Sequence, residues 1–544
     1  MLSACALGAE GTKDAQGPKY VNAQVAYHKP VLDNLGKLLA WYEPEQNRGY
    51  DKVLHLGWDF IEHKVPVDTR HGTGLKIYLI NSVMDSKTLQ GEYWQHNPAM
   101  VYAGFVDGVI AWYPYAGDKE AVETVRGMLD YQLAHGTTPT DWEWPSVPFA
   151  TSCDDQRDYG HCIQNLPKEF YGGIETDKIG QLGAGYTLFY ELTNDRKYLE
   201  AAVHCADALA RHVRPGDQDH TPWAFRVDAR TGVTLALEEY GGDVASSLRM
   251  FDELIRLKAG NTSAYQHARD MAWDWLVRYP LNSGSRARDK WSGFFEDVPY
   301  RPTNVNQFLP DMTAYYIMSR PDPASVDPEW VSHVGHLIDW VRLHFGRGPF
   351  LGAWGIDEQA PPDGMGACCS RAGQGSHGGR WAAINAMYAD LTGDGQARED
   401  AFRTMNYATY FASSDGLVAC CGTDYDQPFW FSDGYADYLR HFNWTMGALP
   451  ELAPVGENHV LRSSSVIQSV AYEPGRVRYH TFDTSGTQVL RLAFKPVRIA
   501  AGSQALPERG DLKQPGFTIE PTGRGDYIVR VRQEGSADVA IEGK

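Results

Sequence analysis

LTNDRKYL at residues 192–199 and LTGDGQAR at 391–398 are one phrase written twice, and YAGDKE at 115–120 is a third copy. In each, a short polar loop built on Gly/Asn-Asp follows an apolar or aromatic segment and precedes a charged amphipathic one. Looser copies begin near Leu257 and Ser319. An internal repeat constrains architecture before any single residue does, and a period of roughly 65–80 residues is too long for a solenoid of small repeats. It suits helix pairs separated by long, variable loops.

The segments on either side of the phrase differ in character. Residues 119–135 place Val122, Val125, Leu129 and Leu133 on one stripe with charges opposite, and 196–212 do the same with Leu199, Ala202, Ala206 and Leu209. These read as outer helices, wet on one side. The stretches 179–191, 243–257, 311–318, 379–391 and 433–446 are rich in Gly, Ala and aromatics and poor in surface charge. They read as inner helices, buried on nearly all sides. Residues 20–450 read as helical throughout, in pairs at 24–65, 98–135, 178–213, 243–278, 311–345 and 380–411, with 433–447 closing the ring. Six hairpins of alternating inner and outer helices predict a mainly α (α/α)6 toroid. A solenoid or plain bundle is the alternative. Long loops before each inner helix favour the toroid, because they gather on one face and build a cleft.

Past Pro450 the period becomes two. SVIQSVAY, RVRYHTF, VLRLAF, YIVRVR and VAI are separated by turn signals at 474–475, 485–486 and 525–526. The expected organisation is a tether over 1–19, an (α/α)6-barrel catalytic domain over 20–455, and a C-terminal antiparallel β-sandwich over 456–544 that covers one flank of the barrel.

Composition narrows the function classes. The chain has 544 residues, 43% hydrophobic and 12% aromatic, with 16 Trp and 30 Tyr. Most of these rings belong in a core. A surplus in polar loops is also what a sugar cleft needs, because ring faces stack on pyranose C–H faces. The net charge of −19 argues against a nucleic-acid partner. No run of 18 apolar residues exists, so no membrane span is expected. Leu2-Ser3-Ala4-Cys5 matches the lipid-attachment box of a bacterial lipoprotein, which predicts a lipid anchor at Cys5 and a periplasmic or outer-membrane-anchored protein. A chance match near the start is the rival. Cys153 and Cys162 bracket an acidic loop and are candidates for a disulfide. Cys368–Cys369 and Cys420–Cys421 lack the spacing of a zinc site, so no Cys-bound metal is expected.

The loops before inner helices carry the chemistry-bearing residues. They are Trp142-Glu143-Trp144, the acidic run Asp154, Asp155 and Asp158, Tyr171 through Glu175, His220 with Trp223, Glu238-Glu239-Tyr240, His377 with Arg380, and Trp430 through Tyr435 with Asp433. Carboxylates, indoles and phenols at one end of a toroid suit glycosidic-bond cleavage. That reaction needs one carboxylic acid to protonate the leaving oxygen and a second carboxylate to activate water or attack the sugar. Aromatic walls raise the acid's pKa and hold the ring. The catalytic candidates are Glu175, Glu143, Glu239 and Asp433. The substrate-binding candidates are Trp142, Trp144, Tyr171, His220, Trp223, Tyr240, His377, Arg380, Trp430 and Tyr435. Neither a metal nor a cofactor is expected.

Each has a plainer rival. Glu175, Glu238 and Glu239 suit the charge preference of a helix N-terminus. Glu143 reads as a surface acid between packed indoles, and Asp433 as the N-cap of the last helix. Asp154, Asp155 and Asp158 offer hard oxygens for Ca²⁺ but lack an EF-hand pattern, which leaves a solvated loop. His377 and Arg380 suit a clamp on a substrate carboxylate, or an ordinary loop.

On the hairpin loops at 193–195 and 392–394, YGGIE at 171–175 and FSDGYADY at 431–438, the chain resembles the (α/α)6-barrel carbohydrate-active enzymes over about 430 residues. Within them it is similar to the unsaturated glucuronyl hydrolases and, in length and C-terminal β-domain, to the β-glucuronidases of glycoside hydrolase family 154. That resemblance implies removal of a terminal uronic acid from a uronic-acid-containing glycan. Two other functions stay open. A polysaccharide lyase would use Tyr171, His220, Tyr240, His377 and Arg380 as bases, acids and neutralisers. A non-catalytic glycan-binding lipoprotein would need none of the carboxylates for turnover.

Overall fold

The computed structural model describes residues 25–67, 76, 83–85, 88, 91–92, 98–149, 172–236, 243–283, 291, 307–357, 375–418 and 429–543. Along them run α1 (Arg48–Asp59), α2 (Pro98–Ala116), α3 (Lys119–His135), α4 (Thr176–Thr193), α5 (Arg196–His212), α6 (Val244–Leu257) and α7 (Thr262–Arg278). Then come α8 (Phe308–Met318), the single turn α9 (Pro323–Val326), α10 (Trp330–Phe345), α11 (Gly375–Thr392), α12 (Gly395–Ala408) and α13 (Ser432–Ala448). Helices α2, α4, α6, α8, α11 and α13 pack each on the next, and α13 returns to α2. Outside them α3, α5, α7, α10 and α12 each lie against an inner partner. The fold is an (α/α)6 toroid.

The recurrent phrase is the joint between an inner helix and its outer partner. Asn194 and Gly393 take left-handed φ angles of 58° and 77°. Asp195 then accepts from the N–H of Lys197, and Asp394 from those of Gln396 and Ala397. A stop in the left-handed region and an Asp N-cap reverse the chain within three residues. Each such cap contributes about 1 kcal/mol. The small residues of the inner helices serve close packing: a Cβ on Gly180 would lie 2.1 Å from Ser247 Oγ, so α4 and α6 approach nearly backbone to backbone.

Two expectations need correction. The stretch 24–65 holds one α-helix rather than a pair, and α1 packs on α13 from the other end of the chain. Pro30, Gly36 and Pro44 interrupt any helical period there, and Val31–Leu32 pairs with Leu38–Leu39 instead. Nor is 20–450 helical throughout. Gly173–Glu175 pairs with Arg226–Asp228 directly before α4, and Phe429–Phe431 with Val83–Asp85 directly before α13. Such three-residue runs bordered by Gly172 or Pro428 are too short to nucleate a helix.

Beyond α13 the chain forms two antiparallel sheets. One orders His459–Ser463, Gly486–Leu492, Tyr527–Gln533 and Gly516–Pro521; the other orders Ile467–Glu473, Arg476–Thr481, Asp538–Gly543, Pro496–Ala501 and Gln504–Ala505. Val460, Leu490, Val529, Val477, Ile499 and Ile541 form the core between them. The sheets sit across the pole where inner helices end. Tyr472 donates to the Pro114 carbonyl, Gln468 to that of Glu191, Arg256 pairs with Asp483 at 2.8 Å, and Arg462 with Asp390 at 2.7 Å. The opposite pole, where inner helices begin, faces away from them. Among the described residues no helix is long and apolar enough to cross a membrane.

Candidate active site in the toroid interior

Inner helices are enclosed by protein, so a charge on them must be paired or must stay neutral. A belt of paired charges nevertheless runs through four of the six, with the amide of Gln307 joining from the start of a fifth. Arg380 on α11 donates to Gln307 at the start of α8, and its Nε and Nη2 hold the two oxygens of Asp437 on α13, the former at 3.2 Å. Arg440, one turn on, donates to Asp437 Oδ1 at 2.8 Å and to Asp107 Oδ2 on α2 at 3.2 Å. Arg249 on α6 completes it, reaching both oxygens of Asp107 at 3.1 and 2.7 Å. Three guanidiniums thus face two carboxylates, which leaves the belt cationic.

Asp311, on the first turn of α8, faces this belt and does not join it. It is fully buried, and neither of its oxygens accepts a hydrogen bond. Burial, reinforced by the Asp437 charge and only partly opposed by Arg380, pushes its carboxyl up to about 8. Asp437 goes the other way. Burial alone would raise it, but Arg380, seconded by Arg440, outweighs that and holds it well below the usual carboxylate range. His441, buried with both ring nitrogens unpartnered, is kept neutral, mainly by burial. One turn from Asp437 on the same helix, it lies edge-on to Trp444 at 5.1 Å. Around Arg380 and Arg440 therefore stand a protonated carboxyl at Asp311, an ionised one at Asp437 and a neutral imidazole at His441.

A second polar group opens α4 and α6. Lys178 Nζ, fully buried, lies 3.0 Å from Asp177 Oδ2. The same oxygen accepts from the Asp243 N–H at 3.4 Å, and Gln181 donates to Asp243 at 3.1 Å. Burial raises the Asp243 carboxyl, and the Asp177 charge adds to it.

Of the residues singled out from sequence, Arg380 is in the belt, and His377 is buried one turn before it on α11. Glu175 is the residue before α4, fully buried, with Arg226 Nε 2.8 Å from its Oε1. Trp142, Glu143 and Trp144 lie on the adjoining hairpin, where the Trp144 N–H donates to Ala229. Glu143 is exposed and its Oε1 is 3.6 Å from His212 Nε2, while Trp144 is buried and stacks on His212 at 4.1 Å. Trp142 is half-buried, edge-on to Phe149. His220 is exposed and its Nδ1 is 2.9 Å from Asp217. Trp223 is buried and donates to the Leu209 carbonyl at 2.9 Å. Tyr435 is buried, donates to the Gly416 carbonyl and stacks on Phe60. Asp433 falls in the first turn of α13, and Trp430 on the strand before it, opposite Met84. Tyr171, Glu238, Glu239, Tyr240, the acidic run 154–158, Cys5 and the six loop cysteines at 153, 162, 368, 369, 420 and 421 lie outside the described residues. Cys205, within them, is buried and free.

Sequence reasoning passed over Asp107, Arg249, Asp311, Asp437, Arg440 and His441. The signal was present: charged residues set in stretches otherwise apolar on every face. A groove of about 600 Å³ on the outer wall, lined by Asp339, Arg342, Asn385, Asp394 and Asp400, takes in none of the belt.

No protein-family model and no curated protein matches the chain. Among solved structures it is similar to a sugar epimerase from a ruminal bacterium, with TM-score 0.49, 8% identity, and 73% of this chain and 99% of that one covered. It is also similar to a D-mannose isomerase, with TM-score 0.49, 8% identity and coverage of 74% and 97%. A third is a family 76 glycoside hydrolase from a bovine Bacteroides thetaiotaomicron strain, with TM-score 0.46, 11% identity and coverage of 76% and 80%. At this level of identity and superposition these likenesses speak to neither substrate nor reaction.

Proposed function

We propose that the protein is a carbohydrate-active enzyme, a glycoside hydrolase that removes a terminal uronic acid, β-glucuronic acid in the first instance, from an oligo- or polysaccharide. The observation that carries this reading is the pair Asp311 and Asp437. Two carboxyls near one guanidinium have their proton affinities driven apart, which is the condition for assigning one as acid and the other as base. Asp311 keeps its proton at neutral pH and delivers it to the glycosidic oxygen. Asp437 stays ionised and activates water or meets the developing oxocarbenium ion. The cationic belt favours a sugar that carries a carboxylate. Resemblance to the family 154 β-glucuronidases points the same way, and the lipid-attachment box at Cys5 suits an enzyme held at a bacterial periplasmic or outer-membrane surface. Asp311 has no exposed surface in the free chain, so substrate binding must be accompanied by rearrangement at the mouth.

One observation favours a second reading, β-elimination by a lyase. His441 is a neutral imidazole with no hydrogen-bond partner, on the helix that also presents Arg440. A base beside a carboxylate neutraliser is what abstraction of the C5 proton of a uronate requires. Incubation with an aryl β-glucuronide and a panel of acidic polysaccharides, followed by mass analysis, separates the two. Hydrolysis gives free uronate and no new ultraviolet absorbance. Elimination gives a product one water lighter that absorbs through its conjugated double bond. No turnover of any uronate glycan refutes both.

A further inference from the structure

The seam between the toroid and the C-terminal sheets holds a group of ligand atoms that the proposed reaction does not use. We propose that Asp51, Glu457 and His459 form a binding site for a zinc-class divalent cation that clasps the two parts together, with His55 bracing Asp51 from outside. Asp51 and His55 lie one turn apart on α1, and Glu457 and His459 lead into the first strand beyond α13. One ligand atom from each of Asp51, Glu457 and His459 falls within 4.8 Å of the others. His459 Nε2 is 3.4 Å from Glu457 Oε2, and His55 Nε2 is 3.4 Å from Asp51 Oδ1. Tetrahedral zinc, with ligands at 2.0–2.1 Å, sets its neighbours about 3.3 Å apart. The His459–Glu457 separation is an edge of that size.

Orientation of the imidazole supplies the second reason. His459 is buried, its ring lies flat on Tyr115 at 3.9 Å, and its Nδ1 is 2.9 Å from the Tyr115 carbonyl. A carbonyl only accepts, so Nδ1 carries the hydrogen. In the neutral ring Nε2 then presents a lone pair toward the Glu457 carboxylate. Nε2 and Glu457 Oε2 thus converge on one point with Asp51, from two segments of chain. The outer support typical of a metal site is also built. The Tyr115 hydroxyl donates to Asp51 Oδ1 at 2.8 Å, so one tyrosine braces two ligands. Arg48 engages the other oxygen of Glu457, Oε1, at 3.4 Å, which leaves Oε2 for the site. Two carboxylates balance a divalent charge, and mixed N and O donors suit zinc better than calcium or magnesium.

The test uses the full-length protein stripped with a chelator. Zinc chloride alone is titrated by calorimetry, and Co²⁺ is added separately as a spectroscopic probe. The proposal expects one zinc per chain, intense visible absorption of tetrahedral Co²⁺, and a melting temperature that rises on zinc addition. His55→Ala, at a half-exposed position that the fold tolerates, should weaken zinc about tenfold or more, and His459→Gln about a hundredfold, on the scale of losing a ligand or its support. Absence of stoichiometric zinc binding to the wild type overturns it. So does zinc binding that survives unchanged in folded His55→Ala and Asp51→Asn, or a Co²⁺ spectrum that stays octahedral and pale.

Discussion

Replacing Asp311 with Asn separates the proposed catalytic role from a structural one in a single protein. The side chain is fully buried and its carboxyl is pushed from 3.8 to about 8. For an acid raised in the folded state, the folded protein binds more protons than the unfolded chain between those two values. Stability associated with this group is therefore complete below pH 3.8 and is lost as pH rises toward 8. Each pH unit in that window costs the wild type about 1.36 kcal/mol, so from pH 5 to pH 8 it loses on the order of 4 kcal/mol from this group. Asn keeps the shape and cannot ionise. The variant should match the wild type near pH 4 and exceed it increasingly toward pH 8, read as the difference in urea or thermal unfolding at each pH. Glu62 and Glu191, also pushed up to about 8 by burial, titrate in both proteins and cancel in the difference. Activity should move oppositely, with kcat falling 10²–10⁴-fold, the usual worth of a general acid. A stability difference flat from pH 5 to 8, or a variant that keeps wild-type kcat, refutes the assignment.

Asp437→Asn leaves Arg380 and Arg440 short of a buried anion and should cost about 3–5 kcal/mol. Because the Asp437 carboxyl is held low, its contribution is complete above about pH 3.8 and is lost as pH falls below, so the gap to wild type should narrow in acid unfolding. Glu175→Gln weakens the buried 2.8 Å pair with Arg226 and should destabilise by about 1–3 kcal/mol. Activity lost in folded Glu175→Gln but kept in folded Arg226→Met would mark Glu175 as more than a partner. Gly180→Ala drives a methyl into Ser247 and should lower the melting temperature by an amount equal to 1–3 kcal/mol; an unchanged melting curve would contradict the close approach of α4 and α6. Glu143→Gln sits in solvent and should leave stability within about 0.5 kcal/mol, so any loss of turnover there reads directly on chemistry or binding.

The toroid was legible because its signals are local. Asn194-Asp195, Gly393-Asp394 and Gly117-Asp118 each encode a stop and a start within two residues, and the stripe on α3 or α5 needs only its own sequence. The stretch 24–65 was not legible as a single helix, because α1 meets α13 across nearly the whole helical chain and no period joins them. The same distinction separates the site residues. His377 and Arg380 stood out in a Gly-rich stretch. Asp311 did not, because its character comes from Arg380 and Asp437, contributed by helices 69 and 126 positions further on.

A loop rich in acids announces itself as polar and yet leaves its carboxylates near their solution behaviour, where they make poor proton donors at neutral pH. A lone acid in an apolar helix looks like an error in composition and acquires the shifted proton affinity that acid catalysis needs. Asp311 is of this second kind. In a closed ring of helices, the interruption of an inner stripe by a charge is therefore stronger evidence of a reactive centre than the density of charge in the loops above it.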